Sequence, residues 1–215
     1  MRWRLAAMCG LLCASVSIHA VQMTLDRRAI EEAILLGQSR QDADRNRFHR
    51  LYRLTISRPP VDWIDVITPY HRVALAAEAR ARLADRIFGQ REALAALNAV
   101  PPGIELLVEL TFHPLNTFVG VPAYDVSLTA PQASRIRPRH IDRVPRFGPR
   151  TDSMALSLPV PNAPLAFGGG QPVMGGTILA QFSAGDINPN GLYDVVLAEA
   201  GKELARVALD LGKLR

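Results

Sequence analysis

The most suggestive run for chemistry is Asp186-Ile187-Asn188-Pro189-Asn190-Gly191. It places oxygen ligands at positions 1, 3 and 5 and glycine at 6, as the first half of a calcium loop does, and Asp194 falls at position 9. Position 12 is Leu197, where the bidentate glutamate belongs, and Pro189 restrains the turn. Asp, Asn, Pro and Gly also make up an ordinary turn between strands. The turn is the expectation. The alternative is a calcium site on Asp186, Asn188, Asn190 and Asp194, the only cofactor the sequence suggests.

A second candidate is the run from Arg135 to Arg150. Arg135, Arg137, Arg139, Arg143, Arg146 and Arg150 face one acid, Asp142. Guanidinium forks suit carboxylates and phosphates, so the run is a candidate surface for an anionic partner. Ile136, Ile141, Val144 and Phe147 are interleaved, so part of it should pack on the protein. The plain reading is a proline-bent, solvated connection.

Other titratable residues carry less. His49, His71, His113 and His140 show no i, i+4 ligand spacing, and each reads as a singleton. Glu105 and Glu109 share one face of a strand, roughly 13 Å apart at ~3.3 Å per residue. A glycosidase pair needs about 5–5.5 or 6.5–9.5 Å, so these two default to solvent. Glu78 and Arg82 sit at helix-neighbour spacing, as on a charge-laced exposed face. There is no Gly-x-Ser-x-Gly elbow, Ser-x-x-Lys pair or phosphate loop, and Gly168-Gly169-Gly170 lacks the lysine and helix that would make it one.

The elements that must position these residues follow from periodicity. Residues 24–100 form a mainly helical section. Thr24–Leu36 repeats apolar residues at helical spacing and stops at Gly37. Gln38–Asn46 is polar and charged and reads as a linker or a frayed helix end. Phe48–Ser57 alternates as a strand until Pro59-Pro60. Thr68-Pro69 is an N-cap followed by proline at the first helical position, opening a helix to Phe88; Gln90–Asn98 resumes it. Residues 104–211 are β-rich. Ile104, Leu106, Val108, Leu110 and Phe112 alternate with polar residues, and Tyr124–Ala130 does likewise. Met154–Val160 is weaker, and Pro159–Gly176 reads as a long loop. Thr177–Ser183, Tyr193–Glu199 and Glu203–Leu211 close the chain, the last two joined across Ala200-Gly201-Lys202. Six or seven strands without regular helix alternation imply an α+β fold: an antiparallel, sandwich-like, sheet-rich C-terminal half with an N-terminal helical elaboration.

Residues 1–20 read as a cleavable export signal. Arg2 and Arg4 precede an apolar run from Leu5 to Ile18, roughly 21 Å long as a helix at ~1.5 Å per residue, too short to span a ~30 Å hydrocarbon core. Ile18-His19-Ala20 supplies the cleavage point. Residues 21–215 would then be a single exported domain, periplasmic or secreted, with no membrane anchor. Cys9 and Cys13 are the only cysteines, so the mature chain would have no disulfide or thiolate site. The formal charge of +5 falls by two on cleavage. Basic residues are arginine except Lys202 and Lys213, a bias that argues for no nucleic-acid partner by itself. The resulting expectation is a non-catalytic interaction or structural module of the cell envelope, partnered by an envelope protein or an anionic envelope component. An exported hydrolase assembled from distant segments, using His49, His71 or His113 beside an acid, and a calcium-stabilised β module are the alternatives.

Overall fold

The structure, a computed structural model, describes residues 20–84, 87–131, 135–148 and 173–215. The expected export segment up to His19 with both cysteines, Arg150, the Met154–Val160 strand candidate and Gly168-Gly169-Gly170 lie outside them. The architecture is α+β, with four helices and two antiparallel sheets among the described residues. The helices are α1 (Arg27–Gly37), α2 (Asp42–Leu51), α3 (Pro69–Arg82) and α4 (Gln90–Asn98). One sheet holds β1 (Arg53–Arg58), β2 (Val61–Ile67), β3 (Gly103–Thr111), β7 (Val173–Ser183) and β6 (His140–Phe147), in the order β1-β2-β3-β7-β6. The other holds β5 (Arg135–Ile136), β4 (Asp125–Thr129), β8 (Leu192–Glu199) and β9 (Lys202–Asp210), in the order β5-β4-β8-β9. No described helix is long and apolar enough to cross a membrane.

The alternation of β3 explains the layering. Ile104, Leu106, Val108 and Leu110 point between the sheets, where they meet Val126, Leu128, Val195, Leu197 and Leu209 in one core. Leu107 points the other way, and that face is covered rather than wet: Ile67, Leu107 and Leu179 pack under Leu75 of α3. Glu105 shares this covered face. It is therefore buried against Arg72 of α3, with which it is hydrogen-bonded, and not solvent-exposed as its alternation suggests.

α1 starts where Asp26 Oδ1 accepts from the Ala29 N–H at 2.7 Å, and ends at Gly37. There α1 and α3 approach so closely that a Cβ on Gly37 would lie 2.2 Å from the Ala74 carbonyl oxygen. α3 is capped by Thr68, whose Oγ1 accepts from the His71 N–H at 3.2 Å, with Pro69 following as expected.

Several local expectations change. The polar stretch after Gly37 is not a linker throughout, because Asp42–Leu51 is helical. Phe48 and Tyr52 share a face four residues apart across the end of that helix, their ring centroids 5.0 Å apart, so β1 starts only at Arg53. β2 was not expected, because Asp65 interrupts its apolar pattern. That carboxylate is fully buried but bonded: Arg53, directly opposite it in β1, donates from Nε and Nη2 at 2.8 and 2.9 Å, and Trp63 Nε1 donates at 2.9 Å. The loop expected over Pro159–Gly176 does not reach Gly176, because Val173–Gly176 already belongs to β7, and the rest of that stretch lies outside the described residues.

Candidate functional site

Among the described residues, a buried polar cluster with catalytic residue types lies where α2 and α3 meet the end of β2. His71, in the first turn of α3, is fully buried. Its ring stacks on Tyr52 with centroids 4.1 Å apart and meets the edge of Phe48 at 5.6 Å. His71 Nδ1 lies 3.0 Å from the Val66 carbonyl, which can only accept, so Nδ1 carries the proton. Burial disfavours a second proton and brings the imidazole pKa down to about 3. The ring is therefore neutral, and Nε2 accepts.

The rest of the chain of bonds follows from that. His49 Nδ1 sits 3.0 Å from His71 Nε2 and must donate to it. His49 Nε2 sits 2.7 Å from Glu78 Oε2. Burial works to raise the Glu78 carboxyl, but the hydrogen bonds and charges of His49 and Arg82 outweigh it and bring the pKa down to about 2. Glu78 is thus a carboxylate, and His49 Nε2 donates to it as well. Glu78 Oε1 accepts from Arg45 Nε at 3.1 Å and Arg82 Nη2 at 2.7 Å. Arg45 also holds the Ser39 carbonyl and Asp42. Every ring nitrogen and carboxylate oxygen here has a partner inside the protein. His49 and His71 are not the singletons their spacing suggested, and Glu78 is not on an exposed face: the first three turns of α3 are covered by α1 and the sheet.

The cluster extends to the end of the chain. The Arg215 carbonyl oxygen accepts from Thr68 Oγ1 at 2.6 Å and from Tyr52 Oη at 3.1 Å. Burial raises the Tyr52 phenol well above its ordinary value, keeping it a donor. The Arg215 guanidinium lies 4.8 Å over the Tyr70 ring and bonds Glu32 at 2.5 Å.

Beside Glu78 opens a cavity of about 450 Å³, walled by Arg40, Arg45, Glu78 and Arg82 over Gly37 and Ala81. No sequence signal marks it, because its residues come from α1, α2 and α3 and from the turn between the first two.

The arginine run divides into two groups. Most of it is strand, since β5 pairs with β4 in one sheet and β6 with β7 in the other, so the segment crosses the edge of the sandwich. Arg135 Nε donates to Ser127 Oγ at 2.6 Å, and Arg143 donates to the Tyr124 carbonyl at 2.9 Å. Arg146 reaches across β7 to the Leu110 carbonyl at 2.9 Å and Thr111 Oγ1 at 3.1 Å. Its path exists because Gly175 has no side chain: a Cβ there would stand 2.3 Å from Arg146 Nη2. Glu109 lies 3.5 Å from Arg146 and accepts from Thr177 at 2.9 Å, so it too is held in the sheet. Ile136 and Ile141 pack against the core, as the interleaving implied. Arg137 and Arg139 are exposed, as Arg135 and Arg143 are, but their side chains make no hydrogen bond among the described residues. Arg137 borders a cavity of about 210 Å³ with Asp125, Ser127 and Arg135, and Arg139 stands 3.6 Å from Asp186.

The loop from Asp186 is built as a turn. Asn188 Oδ1 accepts from the Asn190 N–H at 3.0 Å, and the Asn188 carbonyl accepts from Gly191 at 2.8 Å. The Asn188 N–H donates to Tyr193 Oη at 2.7 Å, while Asp194 is paired with Arg206 at 2.9 Å. Among the described residues, no three of His, Cys, Asp and Glu gather at metal-holding distances. The chain matches no protein-family model, no curated protein and no solved structure.

Proposed function

We propose that residues 1–20 export this chain and that the remainder is a non-catalytic interaction or structural module of the cell envelope. It would meet an anionic envelope component through Arg137 and Arg139. The observation that carries this reading is a split in bonding within the arginine run: Arg135, Arg143 and Arg146 donate to the scaffold, while the exposed Arg137 and Arg139 make no side-chain hydrogen bond among the described residues. Exposed guanidinium forks recognise carboxylate and phosphate groups. The His49–His71–Glu78 chain supports a structural role, since its hydrogen bonds are all used in joining α2, α3 and β2.

Two measurements test this. N-terminal sequencing of the protein recovered from the producing cell should start near Val21, and a start at Met1 would refute export. Co-sedimentation with vesicles containing anionic lipid should fall when Arg137 and Arg139 are both changed to Glu. Equal sedimentation of the variant refutes the arginine surface.

An exported hydrolase is the second reading, favoured by the 2.7 Å His49–Glu78 contact beside the larger cavity. A panel of ester, amide and phosphomonoester substrates tests it. Turnover that disappears in His49→Asn would establish it, and turnover that survives would remove His49 from the chemistry.

A further inference from the structure

We infer that the cavity between α1, α2 and α3 is a binding site for a small oxyanion, the carboxylate or phosphate group of a soluble molecule. The site lies in the helical layer and is independent of the arginines on β5 and β6.

The charges on the cavity wall decide the class of ligand. Three arginines line it against one carboxylate. Both oxygens of Glu78 are already engaged, Oε1 by Arg45 and Arg82 and Oε2 by His49, so its charge is offset within the protein. Arg45 is likewise consumed by Glu78, Ser39 and Asp42. A cation entering the cavity would meet guanidinium groups with no free carboxylate. Donors, by contrast, are in surplus. Arg82 gives Glu78 a single nitrogen, and its side chain is 41% exposed. A guanidinium carries five N–H donors in a fork that fits two oxygens of one oxyanion. Arg40 is exposed at the rim and has no side-chain partner among the described residues.

The floor explains why there is room. Gly37 is held to glycine by the neighbouring backbone of α3, and Ala81 adds only a methyl group. The volume of about 450 Å³ is that of a small-molecule site. Arg82 is positioned by the buried Glu78, so the donor is oriented before any ligand arrives.

The test is calorimetric titration of the full chain in low-salt buffer with inorganic phosphate and, separately, with succinate. The proposal expects saturable binding of at least one, and the tighter of the two identifies phosphate or carboxylate as the group recognised. Arg40→Glu should weaken binding at least tenfold (about 1.4 kcal/mol) without changing the melting temperature, because Arg40 holds nothing in the fold. Arg137→Glu, at the other cavity, should bind as the parent does. Absence of saturable binding of both probes, undiminished binding by Arg40→Glu, or equal loss in Arg137→Glu would overturn it. None of these outcomes bears on export or on the vesicle assay.

Discussion

Acidification from pH 8 to pH 5 should weaken the fold through His71. In the folded protein the ring is enclosed by Tyr52 and Phe48, bonded to Val66 and faced by His49, Glu78 and Arg53, and it takes a second proton only near pH 3. The unfolded imidazole protonates at its ordinary value of 6.5. Between these values the unfolded chain binds the extra proton, so stability is complete above about pH 6.5 and declines as pH falls towards 3. At pH 5 the gap from the ordinary value is about 1.5 units, and at about 1.4 kcal/mol per unit the loss is about 2 kcal/mol. Glu78, brought down to about 2, adds its own loss only below its ordinary value of 4.5. The assay is urea unfolding across this range for the parent and for His71→Asn, whose amide can still donate to Val66. The parent should lose about 2 kcal/mol more than the variant between pH 8 and 5, and the His71 ring resonances should not titrate above pH 4. Equal pH slopes, or a His71 resonance titrating near pH 6.5, would refute the assignment of a neutral, enclosed ring.

Four further outcomes are expected. Glu78→Gln leaves Arg45, Arg82 and His49 without their shared countercharge and should cost about 3 kcal/mol in urea unfolding at pH 7. Gly175→Ala drives a Cβ to 2.2 Å from the Leu110 carbonyl and into Arg146, and should lower stability by about 2 kcal/mol or more. Ala200→Asn should raise it by about 0.5–1 kcal/mol, because Ala200 (φ 47°) and Gly201 (φ 82°) form a two-residue turn in which both central residues need positive φ. Thermal melts with calcium or with chelator should coincide, since Asp194 is engaged by Arg206 and Asn188 Oδ1 closes its own turn. A calcium-dependent rise would restore the loop from Asp186 as a cation site.

The legible parts of the fold were those written in local pattern. Thr68-Pro69 opened α3, the alternation from Ile104 marked β3, and Ala200-Gly201 joined β8 to β9. The illegible parts depended on partners distant in the chain. β2 went unread, and its buried Asp65 is accounted for only by Arg53, which stands opposite it in β1. Glu105 looked solvated until α3 covered its face of the sheet. The glycines of β7 looked like loop because what requires them is distant in the chain: Gly175 clears a path for Arg146, and Gly176 lies against Val121 and the Val144 carbonyl. The histidine cluster was hidden for the same reason. His49 and His71 lie 22 residues apart, on two helices joined through a strand pair, and only packing around Phe48 brings them together. The candidate list for an exported hydrolase held both residues, but nothing in their spacing linked them to Glu78.

β6 also protects the molecule from its own kind. Among the described residues it is the last strand of its sheet, and an exposed strand edge offers unpaired backbone groups on which a second chain can add. Three features of this strand discourage that. Pro145 has no N–H to offer, Arg143 and Arg146 bring charge along the edge, and the register breaks between Arg146 and Phe147. The opposite end of the other sheet is β5, only two residues long. Replacing Arg143, Pro145 and Arg146 with threonine would leave a smoother edge flanked by the exposed Val144 and Phe147. Such a protein should fold less well and cluster edge to edge at concentrations where the parent stays dispersed.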